Sequence, residues 1–577
     1  MRPLVEAGVL GYNRIMCFEV ELLIPAQRAA DEPFILRQIQ LELDRHAVHC
    51  RTQDIHYTIE KSSLDARRRV AKRYLRCKVY TGDEEASDKG EALSLVPVWQ
   101  EARGAKSVIV VGSGPAGLFA ALRLLEAGVR PIVVERGPSV EVRQRQLEDI
   151  SAGRVSERCN VCFGEGGAGT FSDGKLFSTS AKRGKAKALM QTLVHFGADE
   201  RILTETHPHI GSDKLPAIVH SMRTLIEKRG GIVLFDTQVT GLLTEGAGEG
   251  KSVRGVEVTH EGGVRHIETD AHQLKAGDRQ LLSDAVILAT GNSAEDVYHM
   301  IARECPSCLE AKGFAMGVRV EHPREVIDSI QYGGKVNRSV LTEAARYKFT
   351  CQVDGRGVYS FCMCPGGFVI PAATASGEVV VNGMSLSSRS SAWSNAAFVV
   401  QLQAKDAPRE YTQAAKEAGC PPLASLLWRS AIEREAFAQG QGVCPNEAGC
   451  KAPAQRLVDF LAGRASSSLP ETSYAPGVSS SRLDEWLPLV LVAHLKEGLP
   501  AADKAMRGFV CDEALMVAPE SRTSCPVRIR RDGSTGECVG LHGLFPAGEG
   551  AGWSGGITSS ALDGQRAADC VLRLLFR

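Results

Sequence analysis

Three glycines, Gly112, Gly114 and Gly117, separate the apolar run Val108 to Val111 from a helix-patterned stretch, and Val133, Val134 and Glu135 follow, all within SVIVVGSGPAGLFAALRLLEAGVRPIVVERG at 107–137. Strand, tight turn, helix and second strand in this order make up the dinucleotide-binding fingerprint in its proper context. Gly112 permits the sharp turn out of the strand, Gly114 lets backbone approach a pyrophosphate, and Gly117 lets the helix lie close on the sheet. Pro115 and Ala116 open the helix, whose first N–H groups face the diphosphate. Glu135, 23 residues after Gly112 and followed by Arg136, is placed to accept both hydroxyls of an adenosine ribose. A carboxylate there repels a 2′-phosphate, which disfavours an NADP-type ligand.

A second glycine-rich segment, LFPAGEGAGWSGGITSSALDG at 544–564, lies at the other end of the chain. Gly548 and Glu549 follow an apolar stretch, and Gly556 and Ile557 begin a helical pattern. An acid at a strand end can hold a ribityl hydroxyl, and the helix N-terminus can stabilise negative charge on the pyrimidine edge of a flavin. The ligand must span both ends of the chain, and extended FAD does. Between them, DAVILATG at 284–291 reads as a strand ending in a small-residue turn at Gly291, which returns the chain to the FAD domain.

At 577 residues the chain has room for two or three domains, and 44% hydrophobic content supports a full core. Lys plus Arg and Asp plus Glu both number 68, so no net charge draws in nucleic acid or an anionic membrane, and neither partner is expected. The longest apolar run, Leu487 to Ala493 with Pro488 inside it, is too short to cross a bilayer. The N-terminus has an early acid and no apolar run of signal-peptide length, so the expected compartment is the cytoplasm. A plastid is the alternative if a transit peptide is missing from this chain. Seventeen cysteines, an odd count in a long chain, read as reduced thiols. Cys159 with Cys162 and Cys305 with Cys308 have CxxC spacing, but 143 residues separate the pairs and no metal is expected.

The expected fold class is α/β, α+β overall: a discontinuous Rossmann-type FAD-binding domain, an inserted mixed-sheet cap or substrate domain, and a small N-terminal α/β module. The module takes 17–80, with strands at FEVELLIP, IHYTIEKSS and RYLRCKVY and a helix at PFILRQIQLELDRH. Its basic run Arg67, Arg68, Arg69 is either a phosphate or partner contact or a solvated loop, and the polar stretch 81–92 reads as a linker. The FAD domain begins with 104–180. An inserted region follows at 181–283, in which 230–243 and 252–260 read as paired strands, with the return at 284–300. The cap takes 313–500, strand-rich to 400 and mostly helical from 425, and 501–577 closes the FAD domain.

A third glycine cluster, CNVCFGEGGAGTFSDGKLFS at 159–178, matches GxGxxG formally but follows no apolar strand. It reads as a loop whose backbone passes close to the cofactor at Gly166 and Gly167 and presents Ser172, Asp173 and Lys175 nearby. The alternative is an ordinary flexible loop. Together, NVCFGEGGAGTFSDGKL, GFAMGVRVEHP, YSFCMCPGGFVI, VNGMSLSSR, APAQRLVDFL, SRTSCPVRI and FPAGEGAGWSGGI resemble the uncharacterised FAD-dependent dehydrogenase family of bacteria and plastid-bearing eukaryotes. The resemblance covers nearly the whole chain, SSLDARRR included, and implies a glutathione-reductase-like FAD domain with redox activity. Departures are Cys162, where a glutamine-like residue is expected, and the stretch VCPNEAGC that holds Cys444 and Cys450.

Chemistry is expected at Lys175, Cys364 and Arg522. Cys362 and Cys364 of FCMCPGG either relay electrons to the flavin as thiols, add covalently to it, or fill the interior as small apolar side chains. Lys175 and Arg522 either bind an anionic substrate or the reduced flavin, or serve as ion-pair partners. His207 and His209 offer a proton donor or pack as structural histidines, and Trp553 stacks near the cofactor or fills the core. The expected activity is that of an FAD-dependent oxidoreductase passing hydride or electron pairs through a tightly bound flavin to a small-molecule substrate, with NAD(P)H or reduced ferredoxin as donor. Two alternatives stand: an FAD-dependent RNA-modifying protein, which needs a basic face for phosphates, and a non-catalytic flavoprotein acting as sensor or scaffold.

Overall fold

The computed structural model describes residues 2–5, 16–65, 71–81, 96–104, 106–152, 154, 156–176, 183–246, 250–260, 280–333, 343–440 and 451–577. The basic run at 67–69, nearly all of the expected linker, Cys444 and Cys450 lie outside these residues.

Strand Ser107–Val111 is buried along its whole length, as a parallel strand with both sheet faces covered must be. It pairs in parallel with Arg130–Val134 on one side and Ala285–Leu288 on the other, and Ile232–Leu234 and Leu544–Pro546 complete the sheet. Numbered along the chain, these strands lie in the order 3-2-1-4-5, which is that of a doubly wound Rossmann-type fold. The order reverses between Ser107–Val111 and Ala285–Leu288, and ligands of such sheets sit beyond the carboxyl ends of the strands at that reversal. Helices Pro115–Glu126 and Ile557–Leu575 pack against each other here, so closely that a Cβ at Gly564 would stand 2.0 Å from the Ala116 carbonyl oxygen.

Part of the material expected to be inserted belongs to this sheet. Ile232–Leu234 joins Arg130–Val134, whereas Thr237–Glu245 pairs antiparallel with Lys251–His260. The apolar stretch 230–243 is therefore two strands in two sheets, divided at Asp236, whose φ of +52° lies in the left-handed region that Asp tolerates.

The cap is built on a seven-stranded mixed sheet in the order Thr350–Val353, Arg356–Cys364, Trp393–Leu402, Phe314–Pro323, Leu515–Glu520, Ala452–Arg456, Val478–Ser480. Its last pair is parallel and the others antiparallel. The expected boundary at 500/501 is corrected on two counts. Helix Leu489–Ala505 runs through it, and Leu515–Glu520 is a buried strand of the cap sheet. The chain rejoins the FAD sheet only at Leu544.

In the N-terminal module, strands Arg2–Val5, Met16–Pro25, Lys72–Thr81 and Ile55–Asp65 lie in that order, all antiparallel. Helix Glu32–Arg45 buries Ile35, Ile39 and Leu43, and Asp31 caps it by accepting from the Phe34 N–H at 3.0 Å. The module thus begins at Arg2 rather than at 17. Backbone bonds from Ser62 N–H to Thr204 and from Thr206 N–H to Ser62 tie it to the rest of the chain.

Cys305 and Cys308 are joined in a disulfide, which corrects the expectation of reduced thiols throughout. Helix Glu295–Glu304 stops before Cys305, and the turn Pro306–Cys308 folds the second cysteine back onto the first. No helix among the described residues is long and apolar enough to cross a membrane.

Candidate cofactor and substrate site

The glycines divide by what surrounds them. At Gly117 an added Cβ would lie 1.9 Å from the Gly112 carbonyl oxygen, and Gly112 itself, with φ +99°, lies against Ala289, just past the neighbouring strand Ala285–Leu288. Gly114, Gly291, Gly555 and Gly556 face open space, with nothing within 4 Å of an added Cβ. The first two are required by the protein's own packing, and the other four are not. Helices Pro115–Glu126 and Ile557–Leu575 start at Gly114 and Gly556 with no side-chain cap, so their first N–H groups remain for a ligand. Gly548 packs on Ala116 between them.

Glu135 ends the strand Arg130–Val134 and is buried. One of its oxygens accepts from the Ser113 N–H at 2.9 Å and the Ser113 hydroxyl at 2.7 Å, the other from the Gly137 and Gly164 N–H groups at 3.1 and 3.0 Å. A carboxylate offers about four acceptor directions, and here the protein fills them, fastening the glycine turn to the 159–171 loop. A ribose hydroxyl at Glu135 must share or displace one of these bonds. Arg136 lies over the Phe163 ring at 4.3 Å and pairs with Asp296 at 2.9 Å.

The 159–171 loop covers both helix starts. Gly167 approaches Gly114, and Gly169 lies against Pro115 and Ile557; Gly166 takes φ +80°. Arg143 holds the loop together from inside. Fully buried, it donates to the carbonyls of Glu165 (2.5 Å), Gly167 (3.1 Å), Asn160 (2.9 Å) and Val161 (3.2 Å) and sits 4.6 Å from the Phe171 ring centre. Burial pushes this guanidinium down to about 10. Beside it, buried Glu165 pairs with Arg223 at 2.9 Å, and burial pushes its carboxyl up to about 7. Sequence reasoning missed Arg143, since an arginine on a six-residue polar helix carries no mark of burial.

Near the second helix start, Glu549 follows the strand Leu544–Pro546, and Asn292 donates to it at 2.9 Å from the return turn. Burial pushes the Glu549 carboxyl up to about 7, opposed by the Gly556 N–H. Thr558 donates to the Leu176 carbonyl at 2.7 Å, linking the C-terminal helix to the glycine loop. Two residues before Lys175, Asp173 receives both arms of Arg389 at 3.2 and 2.5 Å. Lys175 lies 3.8 Å from Asp173 and donates to the Met363 carbonyl of the cap.

That contact falls beside a bulge. Strand Arg356–Cys364 slips register against Trp393–Leu402 between Phe361 and Cys364, and Cys362 adopts φ +42°. Arg319 donates to the Cys362 carbonyl at 3.3 Å, so the bulge is held on two sides. Cys362 is exposed, while Cys364 is buried and donates to the Cys362 carbonyl at 3.3 Å. Cys362 is therefore the residue of the pair that reaches the surface, where Cys364 was expected to act, because the bulge breaks the alternation between them. Its sulfur is nonetheless ringed by protein, and this crowding pushes the thiol up to about 11 against the pull of Lys175.

Arg522 is also corrected. Its donors are turned inward, to Glu433 at 3.0 and 2.6 Å, Thr374 at 2.6 Å and Glu378 at 3.1 Å, with Arg429 pairing Glu295 at 2.8 Å alongside. This network fastens the cap to the helix that follows the return turn and presents no cation to a ligand. Burial pushes His209 down to about 4, leaving it neutral, and lowers His207 as well. Trp553 donates to the Ile529 carbonyl at 2.9 Å beneath Arg528 and Arg531, so its polar edge is engaged by the protein.

Residues 105–148 match a family described as an FAD binding domain, and residues 313–523 match one described as "FAD-dependent protein, C-terminal domain-like". An uncharacterized protein of Clostridium beijerinckii is 38% identical over 469 residues, covering 80% of each chain. The chain belongs to this family of FAD-dependent proteins. Its cofactor is FAD. Solved structures with a more distant likeness include CtdE in complex with FAD, with TM-score 0.30 and 11% identity over 81% of this chain and 84% of that one. Another is a flavoprotein/dehydrogenase from Cytophaga hutchinsonii, with TM-score 0.32 and 11% identity over 82% and 79%. The open glycines and uncapped helix starts of this FAD-dependent protein fit a bound dinucleotide. Gly114, Pro115 and Ala116 would hold its pyrophosphate, Glu549 a ribityl hydroxyl, and Gly556 and Ile557 the pyrimidine edge.

Proposed function

We propose that this FAD-dependent protein is an oxidoreductase that moves a hydride or electron pair between a small-molecule substrate, bound beside Cys362 and Lys175, and a donor such as NAD(P)H or reduced ferredoxin. FAD supplies the two-electron chemistry when bound. The observation that carries the reading is the tie from Lys175 to the Met363 carbonyl. One continuous loop runs from the helix starts at Gly114 and Ile557 to this contact, which supports a substrate position between the cap and the flavin.

Around that position the side chains have separate tasks. The uncapped N-terminus of Ile557–Leu575 stabilises negative charge at the pyrimidine edge. The ammonium of Lys175 favours an anionic group on the substrate side. Cys362, held as the thiol near neutral pH, offers a weak donor that adds no second charge.

The purified protein should show a flavin absorption spectrum, and anaerobic mixing with NADH, NADPH or reduced ferredoxin should bleach it with at least one donor. A protein that takes up no FAD, or bound FAD that none of the three reduces, would overturn the proposal.

A further inference from the structure

We propose that Cys305 and Cys308 form a thiol–disulfide exchange site, separate from the FAD groove, whose substrates are low-molecular-weight thiols. The pair closes the short loop Cys305-Pro306-Ser307-Cys308 with Cα atoms 5.4 Å apart. Cys159 and Cys162 have the same spacing and remain unbonded, so local geometry rather than spacing closes this pair.

Access to the two sulfurs is unequal. Cys308 is fully buried, and Cys305 is partly exposed between the end of its helix and the exposed Pro306 and Ser307. An incoming thiolate therefore reaches Cys305, and the sulfur that departs lies inside the protein. Provision for the opened form is already present. The Val539 carbonyl stands 2.9 Å from the Cys308 sulfur, an acceptor that a disulfide cannot use and a thiol can. The Ser307 hydroxyl is 3.4 Å from the Cys305 sulfur and can donate to a thiolate there. Arg530 braces the loop, its backbone N–H on the Cys308 carbonyl at 2.7 Å and its guanidinium on the Ser307 carbonyl at 3.0 Å, which fixes a positive charge beside the pair. Backbone covers the sulfurs at Gly540, where φ is +89° and a Cβ would press to 2.9 Å on Cys305 and 3.6 Å on Cys308.

A thiolate RS⁻ attacks the Cys305 sulfur, the S–S bond breaks, and Cys308 leaves as a thiolate that takes up a proton beside the Val539 carbonyl. A second RS⁻ attacks the mixed disulfide at the R sulfur, releasing RSSR and the Cys305 thiolate, which is protonated in turn. Two thiols lose two electrons, and the protein disulfide gains them.

The test uses the full-length FAD-loaded protein, equilibrated in buffers of reduced and oxidised dithiothreitol, quenched in acid, labelled with maleimide and analysed by peptide mass spectrometry. Cys305 and Cys308 should stay unlabelled in oxidising buffer, gain label together in one two-electron transition, and close again on reoxidation. With glutathione as probe, Cys308→Ser should trap a mixed disulfide on Cys305. Labelling of both cysteines before any reductant would overturn the proposal, as would a bond that opens only when the protein unfolds. If Cys308→Ser does not fold, the wild-type titration decides alone.

Discussion

Arg319 and Glu520 meet across neighbouring strands of the cap sheet as a two-pronged ion pair closed to solvent, Nε to Oε2 at 2.8 Å and Nη2 to Oε1 at 3.1 Å. The same guanidinium donates to Asn395 at 2.7 Å and to the Cys362 carbonyl at 3.3 Å, so the pair positions the bulge at Cys362. Replacing Arg319 by Leu leaves the Glu520 carboxylate buried alone, at a cost of about 3–5 kcal/mol. Urea denaturation measures it, and an Arg319→Leu protein as stable as wild type would remove this pair from the account.

Two neighbouring glycines should respond differently to the same change. Gly117→Ala forces a Cβ to 1.9 Å from the Gly112 carbonyl oxygen. Overpacking of that kind costs about 1–3 kcal/mol, visible as a lowered Tm without FAD. Gly114→Ala meets only open space. It should keep the apo-protein Tm and weaken FAD binding about tenfold or more in calorimetric titration, about 1.4 kcal/mol.

Glu549 predicts a pH dependence with a definite sign. Its carboxyl is raised to about 7 in the folded protein, so charging it costs stability as pH climbs from the ordinary carboxylate range through about 7. Glu549→Gln removes that cost. The apo variant should unfold at higher temperature than wild type at pH 8 and at the same temperature at pH 4. FAD affinity moves the other way, because only the carboxylate accepts strongly from a ribityl hydroxyl. Wild-type binding should weaken as pH falls through about 7, and the variant should show a flat profile.

Lys175 and Arg522 separate catalysis from scaffolding. Arg522→Met strands Glu433 and Glu378 in the interior, an expected loss of about 3–5 kcal/mol, while the folded fraction keeps its FAD affinity. Lys175→Met removes a partly exposed cation and should change stability by less than about 1 kcal/mol. It should slow donor or substrate turnover in stopped-flow measurements with FAD content unchanged. Equal loss of FAD from both variants would contradict this division.

The dinucleotide turn was legible because its backbone demands appear directly as residue type: the close contacts at Gly112 and Gly117 admit no side chain. The two strands within 230–243 were not, since an apolar pattern records burial and not the partner strand, and Asp236 marks the division only by its φ. In FCMCPGG, plain alternation puts both thiols on one face, and the bulge at Cys362 reverses one of them. Arg143, Arg319 and Arg522 carry no local sign of burial. The carbonyls and carboxylates that receive them come from distant segments, and only the fold brings those together.

Leu544–Pro546 is one of the two edge strands of the five-stranded sheet, and its partner Ala285–Leu288 precedes the entire cap in the chain. During synthesis on the ribosome, that partner emerges with an unpaired apolar edge and stays open while the cap is translated. Glu549 and the helix from Ile557 emerge later still. Cofactor loading therefore waits until the segment after the cap has emerged, and a chain arrested before Leu544–Pro546 leaves the edge of Ala285–Leu288 open for chaperones or proteases to recognise.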